Sequence, residues 1–331
     1  MGAEKKTEVN KKKILGMDQN ELNLFTRRYG IAVVMAVMII LLAIVSPTFR
    51  TSGNIISILL QVSINGILAL GMVFVITSGG IDLTIGSQLA VTSVIVGTVL
   101  TATGSIPLAI ILAVATTTLF GLINGYLIAK FDMFPFVVTL AMQLVIRGAA
   151  YIISGGYSAS LANASFKLIG GGKLFGIIPY PVIILIVVAI IAFIILHWTR
   201  YGRYVYAVGG NKNAAIASGV NVLWTTAGAY VISGFCCGVA GVIMTSRIAA
   251  AQPNIGVGYE TDAIAACVIG GTSFAGGVST IPGTVVGIVI IGLIYNGMNL
   301  VGINSYWQTI TKGLLIIGAV MLDMFMNKRR K

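Results

Sequence analysis

One acidic residue stands between two long apolar runs, beside a pair of glycines. Residues 78–87 read SGGIDLTIGS, and Asp82 is the acid. Paired glycines interrupt helices and let backbones approach closely. A carboxylate at membrane depth is costly and usually marks a function, while an Asp just before an apolar run also makes a good helix cap. Both interpretations of Asp82, as a helix cap and as a functional polar group, stay open.

A second distinctive segment, residues 203–222, reads RYVYAVGGNKNAAIASGVNV. A glycine pair ends one element, Asn211 caps a short helix that starts at Lys212, and Gly219 ends that helix. The short helix is either an amphipathic connector or a rigid docking element that transmits a push from a partner. The residues assigned to the docking element are Gly209, Gly210, Asn211, Lys212, Asn213, Ala214, Ala215, Ser218 and Gly219.

Two basic residues, Arg147 and Lys312, lie inside apolar segments. Neither can face hydrocarbon at modest cost, so each either extends its charge to the membrane surface or faces a polar cavity. Uncharged polar residues in such segments either form hydrogen bonds between helices or line a path for a neutral hydroxylated solute. The candidate pathway residues are Asn65, Asp82, Asn124, Gln143, Arg147, Asn296 and Asn299.

Two further acids end the motif AQPNIGVGYETD, where another apolar segment begins. Glu260 and Asp262, together with Arg247, form a candidate surface for docking a soluble partner. Helix capping is the alternative for Asp262.

Residues that would support catalysis or metal binding are sparse. His197 is the only histidine of the sequence, and its three cysteines (Cys236, Cys237 and Cys267) lie in apolar segments without C-x-x-C spacing. The sequence also lacks the H-E-x-x-H and G-x-S-x-G motifs, which carry metal-assisted and nucleophilic hydrolysis. We therefore predict no catalytic residue, no metal site and no cofactor held by this chain.

Ten apolar segments position these residues. A span of roughly 20 apolar residues crosses the ~30 Å hydrocarbon layer as a helix, and lipid requires that backbone polar groups be satisfied internally. Only 9% of the residues are charged and 57% are hydrophobic, whereas a soluble domain has about 25% charged residues. The prediction is an all-α polytopic membrane protein with spans at 31–46, 55–77, 86–103, 106–129, 134–153, 177–198, 225–245, 262–279, 283–300 and 305–326.

Basic residues are distributed unevenly between the two sides that ten spans define. Fifteen fall on the side of both termini and four on the other, so the positive-inside rule places both termini in the cytoplasm. The net charge of +12 is thus explained by membrane orientation and not by nucleic-acid binding. The predicted organisation is a basic N-terminal segment (1–30), one transmembrane domain (31–326) and a basic tail (327–331).

The chain also contains a faint internal repeat. GLINGYL at 121–127 resembles GLIYNGM at 292–298. The two copies lie on the fourth and ninth predicted spans, and an odd separation implies halves that are inverted in the membrane. We predict an inverted repeat of spans two to five and seven to ten.

Four motifs, taken together and in order, resemble the permease subunits of bacterial ABC sugar importers, and the ribose and galactose permeases most of all. They are SGGIDLTIGS, GRYVYAVGGNKNAAIASGVNV, AQPNIGVGYETDAIAACVIGGTSFAGG and NGMNLVGINSYWQTITKG. The resemblance implies a ten-helix core of the large (type II) importer class in the bacterial inner membrane. It assigns residues 211–219 to the helix that couples the permease to an ATPase.

The resemblance also implies the partners. A second permease copy, cytoplasmic ATP-binding subunits that hold ATP and Mg, and an extracytoplasmic sugar-binding protein would complete the transporter. The sequence itself has no P-loop, so an ATPase that drives the protein must lie on another chain.

The identity of the sugar stays open, because Thr84-Ile85 and Thr261 stand where ribose-type relatives commonly carry Ser-Val and Leu. An ion-coupled secondary transporter of a small polar solute is the main alternative, and the lack of a chain of intramembrane acids argues against it. A membrane enzyme and a channel are weaker alternatives.

Overall fold

Helices make up most of the part of the chain that the structure describes. The computed structural model describes residues 19–328; residues 1–18 and 329–331, which include much of the predicted basic N-terminal segment and tail, lie outside the described residues. The helices are α1 (Gln19–Val45), α2 (Ser52–Thr77), α3 (Ile85–Thr103), α4 (Ile106–Phe131), α5 (Pro135–Ser154), α6 (Ala164–Gly171), α7 (Tyr180–Phe193), α8 (Arg200–Gly210), α9 (Lys212–Ala217), α10 (Val222–Ile248), α11 (Tyr259–Ile269), α12 (Ile281–Leu300) and α13 (Ser305–Lys328). The all-α prediction is confirmed.

Short elements complete the fold. The two-residue strands β1 (Ala159–Ser160) and β4 (Ala250–Ala251) pair antiparallel, as do β2 (Lys173–Leu174) and β3 (Ile178–Pro179). A 3₁₀ turn (Pro47–Arg50) precedes α2, and a π-helical turn (Ile194–Trp198) extends α7. The strands and α6 therefore fold the long connection between α5 and α7.

Seven helices in the described part of the chain are long and apolar enough to cross a membrane. They are α2, α3, α4, α5, α10, α12 and the continuous segment Tyr180–Trp198. The apolar part of α1, Gly30–Val45, is shorter, and α13 is not among the seven although it has 24 residues. The predicted count of ten spans is therefore not confirmed.

One predicted span is wrong as a continuous helix. The sequence indicates a helix over 262–279, but α11 has only 11 residues and ends at Ile269. The next residues turn through glycines, and Gly271, Gly276 and Gly277 all have positive φ angles. A left-handed backbone is accessible to glycine at no steric cost and cannot continue a right-handed helix. Apolar composition alone hides this break.

The buried centre of the fold is formed by α2 and α10, which pack against each other, together with α3, which packs on α10. Of the most apolar stretch of each helix, 83% is buried in α2, 72% in α3 and 67% in α10, against 22% in α4 and in α5. Helices that are apolar all round and buried all round form the core, whereas α4 and α5 present apolar residues outward, as a lipid-facing helix does. The outer helices thus shield α2 and α10, together with α3.

The helices of the two predicted repeat halves, α2–α5 and α10–α13, make corresponding packing contacts. In the first half α3 packs on α4 and α5, and in the second α11 packs on α12 and α13. Each central helix reaches into the other half, since α2 packs on α11 and α12 while α10 packs on α3 and α4. This correspondence of α2–α5 with α10–α13 supports the predicted repeat, and the inversion of its halves stays a prediction.

Glycines of the repeated motif make the equivalent contacts. A Cβ added to Gly121 on α4 would lie 2.2 Å from the carbonyl oxygen of Tyr230 on α10, and one on Gly292 of α12 would lie 2.7 Å from Cγ2 of Val62 on α2. Small residues let membrane helices approach this closely. The resemblance between GLINGYL and GLIYNGM therefore reflects a shared packing requirement.

Candidate functional site

Two long helices stop and two new helices begin within the bundle. The chain leaves α2 at Thr77 and enters α3 at Ile85, and it leaves α10 at Ile248 and enters α11 at Tyr259. The start of α3 touches the connection into α11, because a Cβ added to Gly86 would lie 2.1 Å from the carbonyl oxygen of Gly256. We call this contact the central joint. Discontinuous helices of this kind form solute and ion sites in transporters.

Asp82 holds the first connection against α10. Its carboxylate accepts hydrogen bonds from the Thr84 N–H at 3.0 Å, from the Thr84 hydroxyl and from the Ser233 hydroxyl at 2.8 Å. The Tyr230 hydroxyl donates to the carbonyl of Ile81 at 3.0 Å. Asp82 is fully buried, so its three donors replace water. The side chain thus folds the backbone before α3 and also ties it to α10.

Asn124 belongs to the same polar cluster. Its Nδ2 donates to the Thr84 hydroxyl oxygen at 3.2 Å, and Nε2 of Gln88 donates to the same oxygen at 2.7 Å. The structure therefore joins two of the predicted pathway residues, Asp82 and Asn124, through Thr84. Ser233 and Gln88 were missed by the sequence analysis, because a buried Ser or Gln within an apolar run has no distinguishing pattern.

Arg147 secures the second connection from α5. Its Nη1 donates to the carbonyl oxygens of Pro253 at 2.8 Å and Ile255 at 2.7 Å. These carbonyls belong to a backbone segment without helical hydrogen bonds, which needs partners inside a membrane protein. Arg147 is half-buried and binds the backbone of the connection into α11. Its place in the translocation path stays a prediction.

Lys312 secures α11 from α13. Its Nζ lies 3.0 Å from Oδ2 of Asp262 and 4.8 Å from the centre of the Tyr295 ring, and the Tyr295 hydroxyl donates to Oδ1 of Asp262 at 2.8 Å. The Asp262 carboxylate is nearly fully buried. Lys312 thus neutralises a buried acid, which neither sequence interpretation of Lys312 had anticipated.

The three candidate docking residues lie in different environments. Arg247 is exposed at the end of α10, Glu260 is half-buried and Asp262 is buried. Capping by Asp262 is wrong, because the N-cap of α11 is Gly258 and no side chain caps it. Docking by Arg247, Glu260 and Asp262 stays a prediction, and the burial of Asp262 makes its ion pair internal.

The remaining pathway candidates lie apart from Asp82. Asn296 exchanges two hydrogen bonds with Asn54, at 2.7 and 3.1 Å, which ties α12 to α2. Asn299 is exposed and accepts a hydrogen bond from Gln308 at 2.7 Å. Both asparagines form the interhelical hydrogen bonds that the sequence left as an alternative. Asn65 is buried on α2 and Gln143 is half-buried on α5.

The predicted short helix is confirmed as α9. Oδ1 of Asn211 accepts a hydrogen bond from the Ala214 N–H at 3.0 Å, and Gly219 ends the element with a φ of 80°. Lys212 forms an ion pair with Asp132, which lies between α4 and α5. Helix α9 is therefore tied to a second connection on the same side of the bundle.

Helix α8, which leads into α9, packs between the end of α2 and the loop that precedes α12. A Cβ added to Gly209 would lie 1.8 Å from the carbonyl oxygen of Thr77, and the Gly277 N–H donates to that oxygen at 2.9 Å. The Tyr206 hydroxyl donates to the carbonyl of Ser279 at 2.9 Å, and the Ser279 and Thr77 hydroxyls lie 2.6 Å apart. We call these five residues the α8 joint.

The α8 joint is held by a hydrogen bond from the Tyr206 phenol and by close backbone packing. Burial raises the pKa of the Tyr206 phenol above its ordinary value, with the hydrogen bond to Ser279 opposing the shift. The phenol therefore stays protonated at neutral pH and keeps its donor. Backbone packed directly on backbone leaves little room for sliding, so α8 is held closely against the end of α2 and the loop before α12.

A cavity of about 300 Å³ lies beside α9. Its lining includes Ser78, Gly79 and Gly80 of the connection after α2, together with Asp132 and Lys212. The connection that carries Asp82 therefore borders the space under α9.

A membrane bundle with two discontinuous helices at its centre, and a short outer helix joined to both halves, defines a membrane transport permease. Residues 54–320 match the family described as "Branched-chain amino acid transport system / permease component". The chain belongs to this family, and the resemblance drawn from its four motifs is confirmed.

Curated relatives match nearly the whole chain. It is 42% identical over 289 residues (87% of this chain, 89% of the relative) to the "Ribose import permease protein RbsC" of Bacillus subtilis strain 168. It is 40% identical over 302 residues (90% and 93%) to the protein of the same name from Escherichia coli K12. It is 37% identical over 304 residues (92% and 89%) to the "L-arabinose ABC transporter permease protein AraH" of Azospirillum brasilense. No solved structure matches the chain significantly.

Adjacent glycines provide a test of the α8 joint. Gly209→Ala places a methyl group against backbone, and we expect it to lower the free energy of unfolding by about 1–3 kcal/mol. Gly210 has no atom within 4 Å of an added Cβ, so Gly210→Ala should be neutral or slightly stabilising. Thermal unfolding of the detergent-purified protein measures both. Equal destabilisation by the two variants would contradict the described contact.

The Lys312–Asp262 pair can be tested by a double-mutant cycle. Lys312→Met leaves a buried carboxylate without its cation and should lower the free energy of unfolding by about 3 kcal/mol. Combining Lys312→Met with Asp262→Asn removes both charges and should recover much of that loss. The same thermal unfolding measurement applies. Additive losses in the double variant would show that the two side chains do not interact.

Proposed function

We propose that the chain is the membrane-spanning permease subunit of an ATP-driven importer of a monosaccharide, with a pentose as the preferred cargo. The observation that carries the proposal is the match of about nine-tenths of the chain to relatives named as ribose and L-arabinose permeases. The relatives also match along most of their own length. A hexose related to galactose is the alternative cargo that the sequence motifs suggest.

Three partners complete the proposed transporter: a second permease copy, ATP-binding subunits that hold ATP and Mg, and an extracytoplasmic sugar-binding protein. The basic residues of the sequence favour cytoplasmic termini, and α9 then lies on the cytoplasmic side. Helix α9 is the proposed contact for the ATP-binding subunit. The exposed surface around Arg247 is the proposed contact for the binding protein, with Asp262 holding α11 behind it.

The contacts around α9 suggest how the subunit works. Closure of the ATP-binding subunits displaces α9 and α8, and the α8 joint passes the displacement to the end of α2 and to the loop before α12. The connection with Asp82 follows α2 directly, so the start of α3 moves with it. Two states of similar free energy, biased by partner binding, then give alternating access.

The cargo is identified by uptake in proteoliposomes that contain the chain, its ATP-binding subunit and a binding protein. A panel of radiolabelled pentoses and hexoses is compared with and without ATP inside the vesicles. We expect concentrative uptake of a pentose that requires ATP. Uptake that follows an imposed proton or sodium gradient and ignores ATP would favour the alternative, an ion-coupled secondary transporter.

The exposed side chain of Ile216 tests the role of α9. Ile216 is 55% exposed and apolar on the outer face of this helix, as expected for a residue that a partner covers. Ile216→Glu should weaken association with the ATP-binding subunit by roughly tenfold, or about 1.4 kcal/mol, without affecting membrane insertion. The measurement is co-purification with the ATP-binding subunit, together with ATP-driven uptake.

Ile177→Glu is the matched control, because Ile177 is 74% exposed in the connection before α7. We expect it to leave association with the ATP-binding subunit unchanged. Full association of the Ile216→Glu variant would remove α9 from the proposed interface.

A further inference from the structure

Two polar atoms at the central joint have no partner among the described residues. Oε2 of Glu260 is buried and accepts no hydrogen bond, although Oε1 accepts one from the Gly258 N–H at 3.3 Å. The hydroxyl of Ser87 is likewise buried without a partner, and the whole Ser87 side chain is inaccessible to solvent. Buried polar groups are satisfied in the great majority of cases, and each exception requires an explanation.

The Glu260 carboxylate lies against the turn of α3 that carries Ser87. A Cβ added to Gly86, the neighbour of Ser87, would lie 2.5 Å from Oε2 of Glu260 and 2.1 Å from the carbonyl oxygen of Gly256. The Glu260 carboxylate therefore rests against the first turn of α3. The unpaired carboxylate oxygen and the turn that carries the unpaired hydroxyl are brought together where α3 and α11 begin.

At both helix starts, the first helical N–H groups form no cap hydrogen bond with the side chain of the N-cap residue. The N-cap residues Thr84 of α3 and Gly258 of α11 form no side-chain cap hydrogen bond. Helix starts carry unsatisfied N–H groups and partial positive charge. The N–H groups at these helix starts are hydrogen-bond donors. Oε2 of Glu260 is an acceptor, and the Ser87 hydroxyl can donate or accept.

Arg147 adds a cation to the same place. Its guanidinium is held by the carbonyls of Pro253 and Ile255, in the connection that leads to Gly256. Its charge acts electrostatically on Glu260. A cation therefore lies in the neighbourhood of the Glu260 carboxylate, while Oε2 of Glu260 has no hydrogen-bond partner among the described residues.

We propose that Glu260 and Ser87 form a hydroxyl-binding site for the polyhydroxylated, uncharged solute as it passes the central joint. The inference rests on the proposed function and assigns the solute contacts within it. A carboxylate accepts hydrogen bonds from sugar hydroxyls, and the Ser87 hydroxyl both donates and accepts. Glu260 then has a role in the path in place of its predicted role in docking.

The glycine contact explains why such a site does not trap its solute. In the described arrangement Gly86 and Gly256 fill the joint, since a Cβ on Gly256 would lie 2.4 Å from the carbonyl oxygen of Gly86. No sugar fits between them until the start of α3 and the connection into α11 separate. The site therefore exists only in the open state, and closing the joint expels the solute.

Cysteine accessibility tests the location of the site. The native cysteines Cys236, Cys237 and Cys267 are buried, so their background labelling is expected to be low. Ser87→Cys is labelled with a small thiol reagent in the complete transporter during ATP turnover. We expect labelling that depends on ATP and that slows several-fold when the binding protein is saturated with sugar.

Ser63→Cys is the matched control, because Ser63 on α2 is as buried as Ser87 but its hydroxyl donates to the carbonyl of Leu59 at 2.6 Å. It should stay unlabelled throughout. Absence of Ser87→Cys labelling while the same vesicles take up sugar would overturn the inference and leave the proposed function standing. Absence of uptake by the wild-type assembly would instead refute the proposed function.

If the Ser87→Cys protein does not insert into the membrane, a second variant tests the proposed hydroxyl-binding site. Uptake of the sugar is compared with uptake of each of its monodeoxy analogues, for wild type and for Glu260→Ala. Loss of a hydrogen bond to a charged group corresponds to roughly tenfold or more in rate. We expect Glu260→Ala to lower uptake of the sugar by that factor, and to have a much smaller effect on the one analogue that lacks the contacted hydroxyl.

A merely structural role of Glu260 predicts a different result. The loss would then be equal for the sugar and for every analogue, because a distorted joint impedes all of them alike. Equal losses would overturn the inference.

Discussion

Within lipid, every backbone N–H and C=O must find a partner inside the protein, and this requirement governs the two discontinuous helices. Residues 78–84 and 249–258 leave helical geometry in the middle of an apolar bundle. Their carbonyls are satisfied by side chains from other helices: Tyr230 donates to Ile81, and Arg147 donates to Pro253 and Ile255. The breaks are stable only because these donors surround them.

The two connections are held by different chemistry. Hydroxyl groups surround the buried carboxylate of Asp82, whereas cations from α5 and α13 hold the connection into α11 and its Asp262. The first connection also continues directly from the α8 joint, so it is the one tied to α9. We infer that α9, the α8 joint and the start of α3 move as one unit against α11, which Arg147 and Lys312 hold in place from α5 and α13.

Most features encoded within a few residues of sequence were predicted correctly, whereas contacts between residues distant in sequence were not. Apolar run length identified the helices and the class of protein, and the Asn211 cap and Gly219 identified α9, since both signals lie within a few residues. The early end of α11 was missed, because the apolar residues around Gly270 and Gly271 hide a turn. The Lys312–Asp262 pair joins residues 50 positions apart, and no spacing rule reaches that far. Likewise, only the packing distinguishes Gly209 from its neighbour Gly210.

The most direct test of this account is the distance between spin labels on Asn213 of α9 and Thr103 at the far end of α3, measured by pulsed electron paramagnetic resonance in the assembled transporter. Both residues are exposed. If the two helices are connected through the α8 joint as one unit, the separation of Asn213 and Thr103 should stay constant between the nucleotide-free and ATP-bound states, while that between Asn213 and Trp307 on α13 should change. Independent movement of α9 and α3 during active transport would contradict the account.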